Sequence, residues 1–461
     1  MQYIGIFGII LITVINLWIV KGTLEAKDLT FVILSQVNKL NLLTANNLKL
    51  NICNQALEIN QYCPTIYLSH EKFPHIGSWT ILPMLSGIST IIENSTWILI
   101  IEERTVIKLT TLLETLNKYD SSKNIWLGYS LFDEKPTIIH HFHEKIFTYP
   151  HLGAGIAISN PLLQNISKTY NGAKKSNDFS IDGSFELALF IWNNGKGHAL
   201  THDSTFCTVY NEACASFPTS FKACNSSIAR NSIYFAVKTC EKFHESRIPV
   251  VLDTWAKHTE KIYFFSDVKD DSIPTISVRI PNTESGHCEK TMRILKYFNE
   301  RFTDDADIQW IVLADDDTIL SVKRMSEFLS CYDSEDDVAI GERYGYNVYN
   351  PSGFNYITGG GSMVFSRKLL KKLANSCRCP TISSPDDMII GHCLSALGIH
   401  VIHSHLFHQA RPMDYSPDLL KSDRHISFHK HWDVDPREVY NKWFAEEDSK
   451  VAIDLHSKTE L

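Results

Sequence analysis

Residues 310–318 read WIVLADDDT: an apolar run that stops at three adjacent aspartates. The apolar part suits a buried strand, and the aspartates fall in the loop at its C-terminal end. In open α/β sheets, ligands bind at that edge. Three neighbouring carboxylates repel one another, and a divalent cation offsets the repulsion. Mg²⁺ or Mn²⁺ typically takes one or two carboxylates together with substrate phosphates. Asp315 and Asp317, spaced D-x-D, suit that role; the plain alternative is a solvated acidic loop or a helix N-cap.

A second stretch has the same shape. Residues 97–105 read WILIIEERT, with Arg104 where the third aspartate stood. A fixed cation there excludes a metal, so this site is expected to be lost although Glu102 and Glu103 remain. The two stretches head two longer segments that match in order: VIKLTTLLETLNKY against ILSVKRMSEFLSCY, IWLGYSLFD against VAIGERYGY, and GAGIAIS (153–159) against GGSMVFS (360–366). An acidic residue before a helix follows, Asp182 against Asp386, and each segment closes on GHALTH or GIHVIH. Ordered similarity over this length points to duplication of one α/β domain. Alternating apolar strands and amphipathic helices predict a mixed, largely parallel sheet in each copy. The copies are placed at 27–225 and 231–450, with CASFPTSFKACNSS (214–227) as linker.

The chain has 461 residues, 44% apolar, and a net charge of −8. It shows no Lys/Arg-rich run, which argues against a nucleic-acid partner. Residues 1–26 begin with an apolar run from Tyr3 to Val20 broken by Thr13 and Asn16, a signal peptide or a signal anchor. The last four residues, Lys458-Thr459-Glu460-Leu461, resemble a KDEL-type retrieval signal with threonine in place of aspartate, in a tail at 451–461. Together the two ends predict a soluble protein of the endoplasmic reticulum lumen, kept there by a retrieval receptor. Sequons at Asn94, Asn165 and Asn225 agree with that address. So do eleven cysteines, an odd number that leaves at least one free or paired with another chain. Cys377 and Cys379 lack zinc-ribbon spacing and are read as disulfide partners.

Further groups suit chemistry. In SSPDDMIIGHCLSALG (383–398), Ser384 is placed as N-cap, Pro385 at the first helical position, and Asp386 and Asp387 in the first turn. Met388, Ile389, Leu394 and Leu397 are expected to form the buried face. Acidic residues commonly stabilise a helix start; here the pair also offers a general base, since each carboxylate raises the pKa of its neighbour. His403, His405 and His408 follow an apolar strand, with His403 and His405 on one face. Gly359, Gly360 and Gly361 allow close approach of backbone to a ligand, or a tight turn.

Taken in order, IYFAVKTCEKFHESRIPVVLDTWAKH (233–258), WIVLADDDT, YITGGGSMVFS, SPDDMIIG and IHSHL resemble the fringe branch of the inverting β1,3-glycosyltransferases. The resemblance covers residues 231–415. It implies two tandem GT-A-like α/β domains, the first degenerate and the second catalytic, a UDP-sugar donor, and Mn²⁺ or Mg²⁺. It further implies that Asp315 and Asp317 hold the metal and the donor diphosphate, with Asp316 beside the nucleotide-sugar and His405 or His403 completing the metal shell. Asp387 or Asp386 is the implied base. Lys238, Thr239, Asp253 and Trp255 are the implied lining of the nucleotide pocket, and Gly360 and Gly361 are placed beside the donor sugar. Within the branch, a duplicated chain with a KDEL-like tail is similar to members that move glucose from UDP-glucose to O-linked fucose on thrombospondin type 1 repeats. The alternatives are transfer of GlcNAc or galactose to another acceptor, a luminal sugar-binding module without turnover, and a metal-dependent hydrolase, disfavoured because the histidines lie far from the aspartates in sequence.

Overall fold

The computed structural model describes residues 23–92, 95–170, 178–301 and 307–450. The signal or anchor reading, Asn94 and the KTEL tail lie outside these residues.

Two mixed sheets form the body. The first contains β1 (Leu29–Leu34), β2 (Thr65–Leu68), β3 (Trp97–Glu102), β4 (Trp126–Gly128), β5 (Ile156–Ser159) and β6 (Thr201–His202), in the spatial order β2-β1-β3-β5-β4-β6. The second contains β7 (Ile233–Lys238), β8 (Ile262–Ser266), β9 (Ile276–Ser277), β10 (Trp310–Asp315), β11 (Ala339–Gly341), β12 (Met363–Ser366) and β13 (Ile402–His403). Its order is β9-β8-β7-β10-β12-β11-β13. With the edge strand β9 set aside, the two orders coincide position by position. The directions coincide too: β1 is parallel to β2 and β3, β5 antiparallel to β3 and β4, and β4 parallel to β6. In the same way β7 is parallel to β8 and β10, β12 antiparallel to β10 and β11, and β11 parallel to β13.

The central strands are covered on both faces, which is why they read as unbroken apolar runs rather than alternating ones. Trp97 and Trp310 open β3 and β10, and both are buried. Each central strand then emerges at its last residue, Glu102 or Asp315, only half-buried. Immediately beyond, each half folds a short ribbon across this edge. Thr105–Ile107 pairs with Ser216–Pro218, and Thr318–Leu320 pairs with Ser427–His429. Residues 214–218, read from sequence as linker, therefore belong to the first half; the connection proper is 219–232. It is pinned to the second half by Cys224–Cys331.

The halves also share structure. Strand Phe179–Ser180 of the first adds to a hairpin of the second, Arg343–Tyr346 with Phe354–Ile357, making one three-stranded sheet. Ten cysteines form five disulfides and Cys240 stays free and buried, as the odd count requires. Cys377 pairs with Cys393, and Cys379 with Cys288. Among the described residues, no helix is long and apolar enough to cross a membrane.

Candidate active site

The parallel register of β7 and β10 sets Lys238 opposite Asp315, so both strands end level at one edge. The loop after β10 is closed by Thr318, whose hydroxyl accepts from the Asp315 amide (3.1 Å) and donates to the Gly360 carbonyl (2.9 Å). That turn parts Asp316 from Asp315 and Asp317, which face a common centre.

Asp316 points inward. It accepts from the Thr239 hydroxyl (2.7 Å) and from Arg247 Nη1 (2.7 Å). Burial and the neighbouring Asp317 push its pKa up to about 6, against the pull of Arg247. Asp316 and Thr239, expected beside the donor, thus hold each other and the loop. Asp317 meets His429 Nε2 at 2.8 Å and Arg247 at 3.0 Å. Burial opposes its ionisation, but His429 and Arg247 more than offset that and hold the carboxyl well below its usual range. Asp315 lies 3.6 Å from the same His429 nitrogen.

Asp315, Asp317 and His429 together place one ligand atom each within 4.8 Å of one another, a set that fits a divalent cation. Gly360 makes the set possible: a Cβ there would lie 2.2 Å from His429 Nδ1. Gly359 looks into the cluster, with Lys238 Nζ and Asp315 Oδ2 just under 4 Å from where its Cβ would be. The amides of Gly360 and Gly361 are instead taken by Gln409 Oε1, at 2.9 and 3.1 Å.

Neither His403 nor His405, the expected ligands, joins the set. Strand β13 lies at the far edge of the sheet, separated from β10 by β12 and β11. His403 Nδ1 accepts from the Arg343 amide, and His405 Nε2 meets Asp423 at 2.8 Å and Arg104 at 2.6 Å. His408 is buried against His425. His429, which sequence reasoning passed over, takes their place. Two of the implied pocket residues also move. Asp253 is exposed and pairs with Arg437. Trp255 is in the core, its indole donating to the Thr318 carbonyl (3.0 Å), where it supports the loop from behind.

Lys238 ties the cluster to the second acidic pair. Its buried ammonium lies 3.0 Å from Asp315 Oδ1 and 2.6 Å from Asp386 Oδ2, and the two carboxylates hold it charged against the cost of burial. Asp386 also accepts from the Thr291 hydroxyl (2.6 Å). Burial would raise its pKa, but Lys238 and Thr291 pull it down to about 2. Among the described residues, Asp387 has no such partner. Burial and then the charge of Asp386 push it up to about 7, while its Oδ1 accepts from the Met388 amide (2.7 Å). The helix carrying them starts at Asp386, with Pro385 one place outside it; Ser384 does not cap but meets Thr381. Its buried face is Ile390, Gly391 and Leu394, whereas Leu397 is exposed. Gly391 lets the helix press on Tyr356, since a Cβ there would stand 2.3 Å from the Tyr356 Cβ.

The arrangement offers two functions at one edge: a cation-binding set, and a carboxylate poised to exchange a proton near neutral pH. The Fringe-like family model matches residues 14–184 and 228–459. The human protein named beta-1,3-glucosyltransferase is 44% identical over 440 residues, covering 94% of this chain and 88% of its own. Its mouse counterpart is 44% identical over 434 residues, covering 92% and 88%. Lunatic fringe of Xenopus laevis, a beta-1,3-N-acetylglucosaminyltransferase, is 29% identical over 203 residues, 39% of this chain and 54% of its own. The chain belongs to the Fringe-like family and is a β1,3-glycosyltransferase.

Proposed function

We propose that the second half transfers glucose from UDP-glucose to O3 of O-linked fucose on thrombospondin type 1 repeats, by single displacement with inversion. The observation that carries the chemistry is the Lys238 bridge, which brings the Asp386-Asp387 helix start to the Asp315-Asp317-His429 set. The choice of glucose follows the names of the full-length human and mouse relatives.

Asp315, Asp317 and His429 would hold Mn²⁺ or Mg²⁺, and an imidazole ligand favours Mn²⁺. When bound, the cation stabilises charge on the departing diphosphate. Asp387 takes the proton from the acceptor hydroxyl as that oxygen attacks the anomeric carbon. Asp386, ionised by Lys238, keeps its neighbour basic enough to do so near neutral pH. Arg247 spans Asp316 and Asp317 and orients the loop, its guanidinium stacked 3.7 Å from the Phe243 ring centroid. No covalent nucleophile is needed.

We read the two halves as duplicated GT-A-like domains, with the first degenerate. At the matching ribbon and strand positions, Glu102, Arg104 and Pro218 stand for Asp315, Asp317 and His429, and Leu34 for Lys238. One carboxylate of the set survives and the bridging cation is gone. The apolar N-terminus, the KTEL ending and five disulfides support residence in the endoplasmic reticulum lumen. Asn165 and Asn225 are both exposed, as glycosylation requires.

The test is a donor screen: Mn²⁺, a folded O-fucosylated thrombospondin type 1 repeat, and each UDP-sugar in turn, read by intact mass. Addition of a hexose from UDP-glucose alone is expected. Transfer from UDP-GlcNAc or UDP-galactose would overturn the donor, and UDP binding without any transfer would overturn the acceptor.

A further inference from the structure

The residues of the first half that correspond to Asp316 and Asp317 are not idle. Arg104 contacts one segment of the second half directly, and Glu103 reaches it through Gln36. Arg104 Nη2 donates to the Thr219 carbonyl (2.9 Å) and to Asp423, and lies 2.6 Å from His405 Nε2. Asp423 is almost fully covered; its Oδ1 accepts from the amides of Phe221 and Arg424, each at 2.8 Å. Nearby, Ser220 donates to the Ser422 carbonyl (2.7 Å). Glu103 is buried and accepts from Asn41 and from the amide and side chain of Gln36. Gln36 then grips the backbone of His403 on both sides, donating to its carbonyl (3.1 Å) and accepting from its amide (2.7 Å).

The gripped segment, 403–423, leads straight into Ser427–His429. It carries Gln409, whose side chain receives the Gly360 and Gly361 amides. The Gln409 carbonyl lies 3.0 Å from His429 Nδ1, and the His429 amide donates to the Ala410 carbonyl (3.2 Å). Asp423 is thus anchored six residues ahead of the histidine that closes the cation set.

We propose that Arg104 is a positioning residue for the second half's active site: by clamping Asp423 with His405, it fixes the segment that presents His429 to Asp315 and Asp317. The former metal position of one half has become a brace for the metal position of the other. Arg104 suits this because its permanently charged guanidinium meets the Thr219 carbonyl, Asp423 and His405 through one nitrogen, Nη2. Removing it takes the permanent cation from beside an almost fully covered carboxylate, leaving His405 and the Phe221 and Arg424 amides to hold it, and loosens the segment.

This rests on the reading of Asp315, Asp317 and His429 as cation ligands, so the wild-type chain is measured first. Mn²⁺ binding to the full chain is followed by calorimetry, with and without UDP, beside a thermal melt. Wild type is expected to bind one Mn²⁺, and His429→Ala to lose it. Arg104→Met and Asp423→Asn should each weaken Mn²⁺ binding about tenfold or more, Arg104→Lys should recover part of it, and the double variant Arg104→Met/Asp423→Asn should be no worse than Arg104→Met alone. A lowered melting temperature with unchanged Mn²⁺ affinity would make Arg104 a structural tie only and overturn the proposal. Additive losses in the double variant would also overturn it. Should Arg104→Met not fold, Arg104→Lys and Asp423→Asn decide by the same comparison. Wild type that binds no Mn²⁺ would overturn the cation reading, and this inference with it.

Discussion

Asp387 and Asp386 are neighbours in sequence with opposite electrostatic surroundings, and their difference is measurable. Replacing Asp387 with asparagine is expected to lower kcat by about 10²–10⁴-fold while leaving UDP binding near wild type, as loss of a general base does. Because Asp387 must be ionised to accept a proton and its pKa lies at about 7, kcat/KM should fall as pH drops below that value. In Asp386→Asn the like charge is gone, so the acid limb should move to lower pH. A pH–rate profile of both variants checks the order of roles; an unmoved limb would reassign the base. The acidic residues were legible from sequence because three aspartates follow a buried strand at the edge where ligands bind, although two at a helix start also have a plain capping use. Their individual partners were not: nothing in SPDDM tells which carboxylate Lys238 will take, since that lysine lies almost 150 residues earlier. His429 was missed for a related reason. The cluster IHSHLFH drew attention by density, but the sheet carries His403 to an edge strand.

Among the elements, the ribbon that crosses the sheet edge matters most. Ser427–His429 brings its last residue opposite Thr318, three places beyond Asp315. Gly360→Ala should force the His429 ring aside and weaken Mn²⁺-dependent UDP binding by an order of magnitude or more in calorimetry, with only a small change in the thermal melt. The first half contains the same ribbon, and its sequence, Ser216-Phe217-Pro218, matches Ser427-Phe428-His429 in two of three places. That match was available but too short to register, and the surrounding Ser, Cys and Pro made the stretch resemble a linker. The long strands were legible for the opposite reason: both faces are buried, so nearly every position before the last is apolar. The helix that carries Asp386 and Asp387 is fastened separately. Cys393 holds its last turns to Cys377, and Cys379 is joined to Cys288 across 91 residues. Replacing Cys288 and Cys379 by serine should cost about 4 kcal/mol of stability, from the loop-closure entropy returned to the unfolded chain, read as a lower denaturation midpoint.

For the molecule as a whole, the proposed degeneracy of the first half predicts stoichiometry. One UDP and one Mn²⁺ per chain are expected by calorimetry, and Glu102→Gln should change neither affinity; two sites, or a loss with Glu102→Gln, would restore the first half as a donor-binding domain. The correspondence between the halves was visible in sequence as ordered motifs, and the shared strand order agrees with it. What the sequence did not reveal is how the halves engage, because that depends on single side chains such as Gln36 and Trp79, whose indole donates to Asn355 Oδ1 at 3.0 Å. The sheet built from Phe179–Ser180, Arg343–Tyr346 and Phe354–Ile357 has a mechanical meaning. Many two-lobed enzymes admit substrate by a hinge and close it by swinging one lobe over the other. Here the lobes are sewn together by backbone hydrogen bonds in a sheet that also supports the helix of Asp386 and Asp387. A swing would tear that sheet and carry the base with it. The expectation that follows is admission of the proposed donor and acceptor by movement of loops over a frame that stays closed.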